Sequence, residues 1–348
     1  MQIKSTFNSQ YTICNKIGQG SFGAVYKCMH KKSQVYGALK RMDLPQKVTS
    51  LKRLLREVLL LKYLRYEHLI CLKDCYICYD NKQGVYVLFV IELMDMNLRD
   101  FISSLNGMMS KDRLKFFLYQ IFLALAYLHL NNIVHRDIKP DNILVNQDNV
   151  IKVGDFGWAR HISSSKDMTK VIANIHYRAP EVCLRNEVHD SKVDIWAVGC
   201  LFYEMIMGTI LFIQKKDLAL MTNIFEKFGT LSAEEVSFVE REDAQKWILK
   251  HPFSQKTRPS EYLSGFDDPH GKDLFDQCLQ INPNNRIGAL QALNHPYFED
   301  IYDAEEVNQG MINHSQNIDF SFESNQNLTK SQLFMRINQE ISEISASM

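Results

Sequence analysis

Two short polar segments, residues 135–142 (HRDIKPDN) and residues 155–157 (DFG), restrict the fold of this chain more than any other part of its sequence. Two apolar segments between them, residues 143–145 and 150–153, are typical of short β-strands. Paired as a hairpin, these strands would bring the polar side chains on either side of them together. Because a random chain rarely carries so many fixed residue types at fixed spacings, we interpret the segments as a chemical site rather than as a solvated loop.

These polar side chains suit the transfer of a phosphoryl group from ATP to a hydroxyl group. That reaction needs the two reactants in line and counter-charges for the phosphates, and little covalent help from the protein. Asp137 would accept or orient the hydroxyl, and Lys139 would reach the γ-phosphate as a mobile charge. Asn142 and Asp155 would offer Mg²⁺ the oxygen ligands that it prefers. We therefore predict that Asp137, Lys139 and Asn142 are catalytic, and that ATP and Mg²⁺ are the cofactors.

The amino-terminal part of the chain carries a glycine-rich loop, residues 18–25 (GQGSFGAV), between two predicted strands. Glycines there let the backbone fold tightly over phosphates. The pattern G-x-G-x-x-G also marks dinucleotide-binding folds, in which a helix follows the glycines directly. Here a strand-like segment follows instead, which counts against a nicotinamide dinucleotide. The predicted ATP contacts in this region are Ile17, Gly18, Gln19, Gly20, Ser21, Phe22, Gly23, Ala24 and Val25.

Lys40 lies on the next predicted strand and would pair with the α- and β-phosphates of ATP. Such a lysine needs an anion to hold it in place. Glu57 is the candidate, because it lies on a predicted helix with a broad apolar face at residues 51–64. The alternative, a solvated surface lysine, is disfavoured by the glycine-rich loop and by Asp155 elsewhere in the chain.

Over residues 11–298 the chain resembles a eukaryotic protein kinase. Residues 179–181 (APE) and Arg286 match the family's buried ion pair, and Asp194 matches the aspartate that braces the catalytic loop. The resemblance implies an α+β, two-lobed fold. A small β-rich amino-terminal lobe with one regulatory helix would accompany a larger helical carboxy-terminal lobe.

The same resemblance implies a domain organisation. The segments in chain order are an amino-terminal extension at 1–10, an N-lobe at 11–91, a hinge at 92–95, a C-lobe at 96–298 and a carboxy-terminal extension at 299–348. In the hinge, backbone groups of Glu92 and Met94 would hold the adenine of ATP, with Ala38 beside it.

Residues 177–181 (YRAPE) and the long segment at 208–268 resemble the group that contains MAP kinases and cyclin-dependent kinases. Members of this group mostly phosphorylate Ser or Thr followed by Pro. Because the hinge and tail look MAP-kinase-like, we predict a MAP-kinase-like serine/threonine kinase, with a cyclin-dependent-kinase-like enzyme as the alternative. In the tail, Asp303 and Glu306 are similar to the acidic patch that binds basic docking peptides, although a solvated helix end carries similar charges.

Three arginines, Arg56, Arg136 and Arg160, stand where the family binds a phosphothreonine. Converging guanidinium groups repel one another unless an anion joins them, and a phosphate suits that role. Thr169 lies where the phosphothreonine belongs, so the resemblance implies activation through phosphorylation of Thr169 by an upstream kinase. The alternative is that the arginines pair with ordinary acidic neighbours.

The chain also departs from the family pattern. A MAP kinase carries Thr-x-Tyr where this chain has residues 169–171 (TKV), and the single threonine is similar to that of cyclin-dependent kinases. Asn174 replaces a threonine that bridges the catalytic aspartate and lysine, and His176 replaces a tryptophan. These departures leave two further alternatives, a pseudokinase that acts as a scaffold and a docking module whose tail carries the function.

The tail predicts one amphipathic helix, at residues 330–345. Thr329 and Gln332 match a capping box at its start. An apolar stripe recurs every three or four residues, at Phe334, Ile337, Ile341 and Ile344. MAP kinases carry a carboxy-terminal helix of this kind, so the resemblance implies that this helix covers the N-lobe and stabilises it. Partner binding is the alternative.

Composition sets further expectations. Lys plus Arg equals Asp plus Glu, at 40 each, so no bulk charge favours a nucleic acid or a membrane as partner. The 8 cysteines show no disulfide pattern, which suits a reducing compartment. The longest apolar run, residues 85–91, is too short to span a bilayer, and no signal peptide is visible. We expect a monomeric intracellular protein, in cytoplasm or nucleus, that acts on protein substrates.

Overall fold

The computed structural model describes residues 7–20, 23–80, 84–105, 107–162, 174–186, 190–250, 255–312 and 318–347. The chain divides into two compact units. The first consists of Met1–Asp95 and Gln316–Met348, and the second of Met96–Ser315. Ser21, Phe22 and Thr169, which the sequence analysis singled out, lie outside the described residues.

Strands and helices within the described residues are numbered in chain order. The strands are β1 (Tyr11–Gly20), β2 (Gly23–His30), β3 (Tyr36–Asp43), β4 (Leu72–Asp80), β5 (Gly84–Glu92), β6 (Met96–Asn97), β7 (Ile133–Val134), β8 (Ile143–Val145), β9 (Ile151–Val153) and β10 (Arg160–His161). The helices are α1 (Val48–Tyr63), α2 (Leu98–Ser104), α3 (Lys111–Leu130), α4 (Pro180–Cys183), α5 (Lys192–Met207), α6 (Asp217–Phe228), α7 (Glu242–Lys250), α8 (Pro269–Cys278), α9 (Ala289–Leu293), α10 (Ala304–Ile312), α11 (Ser321–Ser324) and α12 (Lys330–Ser347).

The first unit contains an antiparallel sheet with the strand order β1-β2-β3-β5-β4. Its apolar core includes Phe7, Leu39 of β3 and Val90 of β5. The register places Val25 of β2 opposite Lys40 of β3. Of the two strands that flank the glycine-rich loop, β2 therefore lies directly beside the strand that carries Lys40.

Helix α12 belongs to the first unit and packs against α1 and β4. Its start carries the predicted capping box, because Thr329 N donates to Gln332 Oε1 at 2.9 Å and Gln332 N donates to Thr329 Oγ1 at 3.3 Å. The buried stripe consists of Leu333, Ile337, Ile341 and Ile344. Leu333 therefore takes the place that the sequence analysis gave to Phe334, and the helix continues to Ser347.

The second unit is mostly helical. Helix α5 is buried along most of its length and includes Trp196 and Phe202 in the core. Strands β8 and β9 pair with Ile143 opposite Val153, so the hairpin predicted from the two apolar segments forms. Since the first unit is rich in strands and the second in helices, the predicted α+β fold class is confirmed.

Among the described helices, α3 has the length and hydropathy of a membrane span. Inside the protein, 72% of its apolar window is buried. A core helix passes the same test of length and composition, so α3 is weak evidence for a membrane span.

Candidate active site

The segment between β7 and β8 forms a network around the carboxylate of Asp137. Lys139 Nζ lies 2.6 Å from Asp137 Oδ2. Asn142 Nδ2 donates to the same oxygen and to the backbone carbonyl of Asp137, both at 2.8 Å. Asp137 is buried, with 4% of its surface exposed. The three residues that we predict to be catalytic are therefore brought together around a single carboxylate.

Asp194, in the first turn of α5, holds the segment between β7 and β8 in place through hydrogen bonds to its backbone. Its carboxylate accepts hydrogen bonds from the backbone amides of His135 at 2.8 Å and Arg136 at 2.7 Å. It also contacts His129 Nε2 at 2.9 Å. Burial alone would raise the pKa of Asp194, but the hydrogen bond with His129 and the nearby imidazole of His135 hold it below its ordinary value. The side chain of Asp194 that holds this segment is therefore a charged carboxylate.

Asp155 follows β9 and adopts a left-handed conformation, with a φ of 61°. Gly157 N donates to its Oδ1 at 3.4 Å. The preceding residue, Gly154, donates its N–H to the carbonyl oxygen of Asn142 at 2.9 Å. This backbone contact joins the two segments that carry the predicted magnesium ligands.

The donor chemistry of these residues fits Mg²⁺. The amide nitrogen of Asn142 is used by Asp137, which leaves the amide oxygen for a cation. Asp155 adds carboxylate oxygens, and both oxygen types are hard ligands. Asn142 and Asp155 are therefore the residues that could hold the metal.

In the first unit, Lys40 forms the predicted ion pair with Glu57. Lys40 Nζ lies 2.5 Å from Glu57 Oε1, and Glu57 is buried with 2% of its surface exposed. Lys40 lies on β3, and Glu57 lies on the buried face of α1. The structure thus gives the lysine the anion that the sequence analysis required.

Among the described residues, the other predicted ATP contacts of the first unit lie on β1, β2, β3, the end of β5 and the chain just after it. The register pairs Gly18 with Val25, Gln19 with Ala24, and Gly20 with Gly23, and Ile17 precedes them on β1. Ala38 is buried on β3, and Met94 is half-buried. The side chain of Glu92 accepts a hydrogen bond from Cys71 N at 2.6 Å, and the backbone N–H of Glu92 donates to the carbonyl oxygen of Cys71 at 3.0 Å.

Glu181 and Arg286 form the buried ion pair that the sequence predicted, with Arg286 Nη1 2.7 Å from Glu181 Oε1. Ahead of this pair, Asn174 N donates to Asp137 Oδ1 at 3.4 Å. The Asn174 side chain accepts from His176 N at 3.1 Å and thereby caps a short 3₁₀ turn. The backbone N–H of Asn174, rather than its side-chain amide group, therefore contacts the carboxylate of Asp137.

Sequence reasoning missed a second support of this loop, which is centred on Arg99. Its guanidinium binds Asp141 with two hydrogen bonds of 2.9 Å and Glu204 with one of 3.0 Å. Tyr177 OH donates to Glu204 at 2.5 Å. The signal in the sequence was the extra acidic residue, Asp141, within the segment HRDIKPDN.

The three arginines of the expected phosphate pocket occur in different surroundings. Arg56 is buried, and its Nε lies 2.5 Å from Oε1 of Glu323, a residue that sequence reasoning also missed. Arg160 Nη1 donates to the carbonyl oxygen of Ala159 at 3.2 Å. Arg136 is half-buried and has a φ of 66°. Because Thr169 lies outside the described residues, the phosphate pocket stays a prediction.

The acidic patch of the tail lies at the start of α10. Asp303 Oδ1 accepts hydrogen bonds from the backbone amides of Glu305 at 2.8 Å and Glu306 at 3.2 Å. Asp303 is exposed and Glu306 is half-buried. The carboxylate of Asp303 therefore caps a helix, and its role in docking stays a prediction.

Comparison with known proteins agrees with this geometry. The protein kinase domain family matches residues 11–298, so the chain belongs to the protein kinase family. Its enzyme class is protein serine/threonine kinase, and members of the family generally use ATP and Mg²⁺.

Individual relatives indicate which group of protein kinases the chain resembles. The chain is similar to mitogen-activated protein kinase 3 of Arabidopsis thaliana, with 34% identity over 308 residues, covering 86% of this chain and 83% of the relative. Similarity to a mitogen-activated protein kinase of Fusarium vanettenii is 33% over 344 residues, covering 98% and 96%. The mitogen-activated protein kinase KSS1 of Saccharomyces cerevisiae is 34% identical over 313 residues, covering 86% and 84%. The chain is therefore MAP-kinase-like, as predicted.

Proposed function

We propose that the protein transfers the γ-phosphoryl group of ATP to serine or threonine residues of protein substrates. The observation that carries this proposal is the carboxylate of Asp137, whose Oδ2 contacts both Lys139 and Asn142. Asp137 would orient the substrate hydroxyl and accept its proton, and Lys139 would stabilise charge on the transferred group. Asn142 and Asp155 would hold Mg²⁺, which supplies counter-charge to the phosphates when bound.

The ion pair of the first unit supports the ATP part of this proposal. Lys40, held by Glu57 at 2.5 Å, is a fixed cation of the kind that binds α- and β-phosphates. The glycine-rich residues 18–25 would cover the phosphates with backbone N–H groups. Backbone groups of Glu92 and Met94 would bind the adenine.

The MAP-kinase relatives support a finer proposal for substrates and regulation. We propose acceptors followed by proline, and activation through phosphorylation of Thr169 by an upstream kinase. The exposed carboxylate of Asp303, with Glu306, would bind basic docking peptides of partners. The protein would act as a monomer inside the cell, in the cytoplasm or nucleus.

Transfer of phosphate from ATP and Mg²⁺ to a degenerate Ser/Thr peptide library tests the proposal. The variant Asp137→Asn is the control, and mass spectrometry records the state of Thr169. Transfer by the wild type alone, with proline after the acceptor, would support both the catalytic proposal and the proline preference. Transfer to acceptors that are not followed by proline would support the kinase activity and overturn the proposed proline preference. No transfer by protein whose Thr169 carries a phosphate would contradict the catalytic proposal.

A further inference from the structure

Glu323, on the short helix α11, binds Arg56 of helix α1 inside the first unit. Arg56 Nε lies 2.5 Å from Glu323 Oε1, and 1% and 6% of the two residues are exposed. The sequence analysis expected a phosphate on Thr169 to be an anion for Arg56. In the structure, a carboxylate from the carboxy-terminal extension already binds this guanidinium.

Contacts on both sides hold Glu323 in place. From α1, Lys52 Nζ donates to the carbonyl oxygens of Glu323 and Asn325, both at 2.9 Å. From α12, Arg336 Nη2 lies 2.8 Å from Oδ2 of Asp319, just before α11. The segment at residues 319–325, which contains α11, is therefore bound to both neighbouring helices, and the side chain of Glu323 is buried within the unit.

Arg56 directly precedes Glu57, whose carboxylate lies 2.5 Å from Lys40 Nζ. Successive residues of a helix are separated by about 100° around its axis, so α1 cannot turn or slide without moving both side chains. A buried guanidinium that loses its carboxylate is strongly unfavourable and is driven toward water. Such a movement of Arg56 would carry Glu57 away from Lys40.

We propose that Glu323 is a positioning residue for phosphoryl transfer. Through Arg56 it fixes α1 in the orientation that places Glu57 against Lys40. This inference rests on the proposed function, in which Lys40 binds the phosphates of ATP. The carboxy-terminal extension then contributes to catalysis through a buried charge, in addition to the apolar cover that α12 gives to α1.

The chain offers a matched control for this contact. Lys62, near the end of α1, lies 2.8 Å from Glu340 and 2.6 Å from Glu343, both on α12. The variant Glu340→Gln therefore weakens an ion pair between the same extension and the same helix. It leaves Arg56 and its carboxylate intact.

The experiment compares full-length wild type, Glu323→Gln and Glu340→Gln. It measures kcat and KM for ATP and for peptide, and hydrogen exchange of the backbone amides of α1. We expect Glu323→Gln to lower kcat roughly tenfold, with KM for the peptide unchanged, because phosphate alignment is disturbed. Exchange should speed up around Glu57 in this variant and not in Glu340→Gln. Equal kcat and equal exchange in the two variants would overturn the proposal.

A second comparison separates positioning from stability. The double variant Arg56→Met/Glu323→Leu removes both buried charges, so its thermal unfolding should resemble that of the wild type. We expect its kcat to stay low, whereas Glu323→Asp, which keeps the charge, should recover part of it. Wild-type kcat in the double variant would show that the pair only stabilises the fold. If wild type whose Thr169 carries a phosphate phosphorylates no peptide, the proposed function fails, and the exchange comparison still decides whether Glu323 positions α1.

Discussion

The backbone amide of Arg136 donates a hydrogen bond to Oδ1 of Asp194 at 2.7 Å, and it does so from a left-handed conformation with a φ of 66°. Residues other than glycine adopt this conformation only when surrounding contacts hold them there. Because Arg136 directly precedes Asp137, the same contact sets the direction of the Asp137 carboxylate.

Replacement of Asp194 by alanine should remove the hydrogen bonds that hold the backbone at His135 and Arg136. Two buried amides would lose their acceptor, so we expect the free energy of unfolding to fall by about 2–5 kcal/mol and turnover to fall with it. Urea denaturation and peptide phosphorylation measure the two effects. Asp148→Ala, at an exposed residue of the β8–β9 loop, is the control. A folded Asp194→Ala variant with wild-type turnover would contradict the bracing role.

The free energy of unfolding should depend on pH in a way that reflects the titration of Asp194. Its pKa in the folded protein lies below the ordinary aspartate value of about 4. A carboxylate with a lowered pKa stabilises the fold fully above its unfolded pKa, and this contribution is lost as the pH falls through the folded pKa. Between about pH 5 and pH 3, the wild type should therefore lose more unfolding free energy than Asp194→Asn. Parallel curves for the two proteins in urea denaturation would exclude this assignment.

Asp137→Asn should lower kcat by about 10²–10⁴-fold, because it removes the proposed proton acceptor. Its affinity for ATP, measured by calorimetry, should stay close to that of the wild type. Asp148→Asn, at an exposed carboxylate on the β8–β9 loop, is the matched control. Near-wild-type kcat in Asp137→Asn would refute the role that we assign to this residue.

Lys40→Met should lower kcat/KM for ATP by about a hundredfold or more, because the fixed charge for the phosphates is lost. Lys62→Met removes another lysine that forms ion pairs in the same unit, and it should retain most activity. Steady-state kinetics with varied ATP distinguishes the two. Equal losses in both variants would mean that the effect of Lys40 is not specific to the phosphates.

Thr169→Ala should prevent activation and leave the thermal unfolding temperature unchanged. The expected cause is loss of a phosphate that Arg136 and Arg160 would bind. Phosphatase-treated wild type is the control, since it keeps the threonine. If wild type with a fully phosphorylated Thr169 is no more active than Thr169→Ala, this threonine is not the activation site.

Local sequence patterns predicted the parts of the site whose members are close in the chain. Residues 135–142 carry Asp137 and its partners Lys139 and Asn142, so their contacts follow from one loop and one hairpin. The apolar repeat of α12 predicted its buried face, with Leu333 in place of Phe334. The α+β class followed from the family resemblance, and the arrangement of strands and helices agrees with it.

Local patterns do not predict ion pairs between distant segments, and the Glu181–Arg286 pair was predicted through the family resemblance alone. Arg56 and Glu323 are separated by 267 positions, and Arg99 and Glu204 by 105. A charge in a polar stretch has many partners available to it, and only the packing of helices selects one. Arg56 illustrates the difficulty, because the sequence pointed to a phosphate as its partner and gave no sign of the carboxylate of Glu323, which the structure places beside it.

The Arg56–Glu323 pair has a consequence for synthesis of the protein on the ribosome. Every residue that we assign to ATP, metal or catalysis precedes Glu323 in the chain. While the polypeptide emerges, α1 would therefore contain a guanidinium whose buried carboxylate has not yet been made. Lys40, to which we assign the phosphates of ATP, would gain a correctly oriented Glu57 late. A nascent chain would therefore complete the proposed catalytic site only after nearly all of it has been translated.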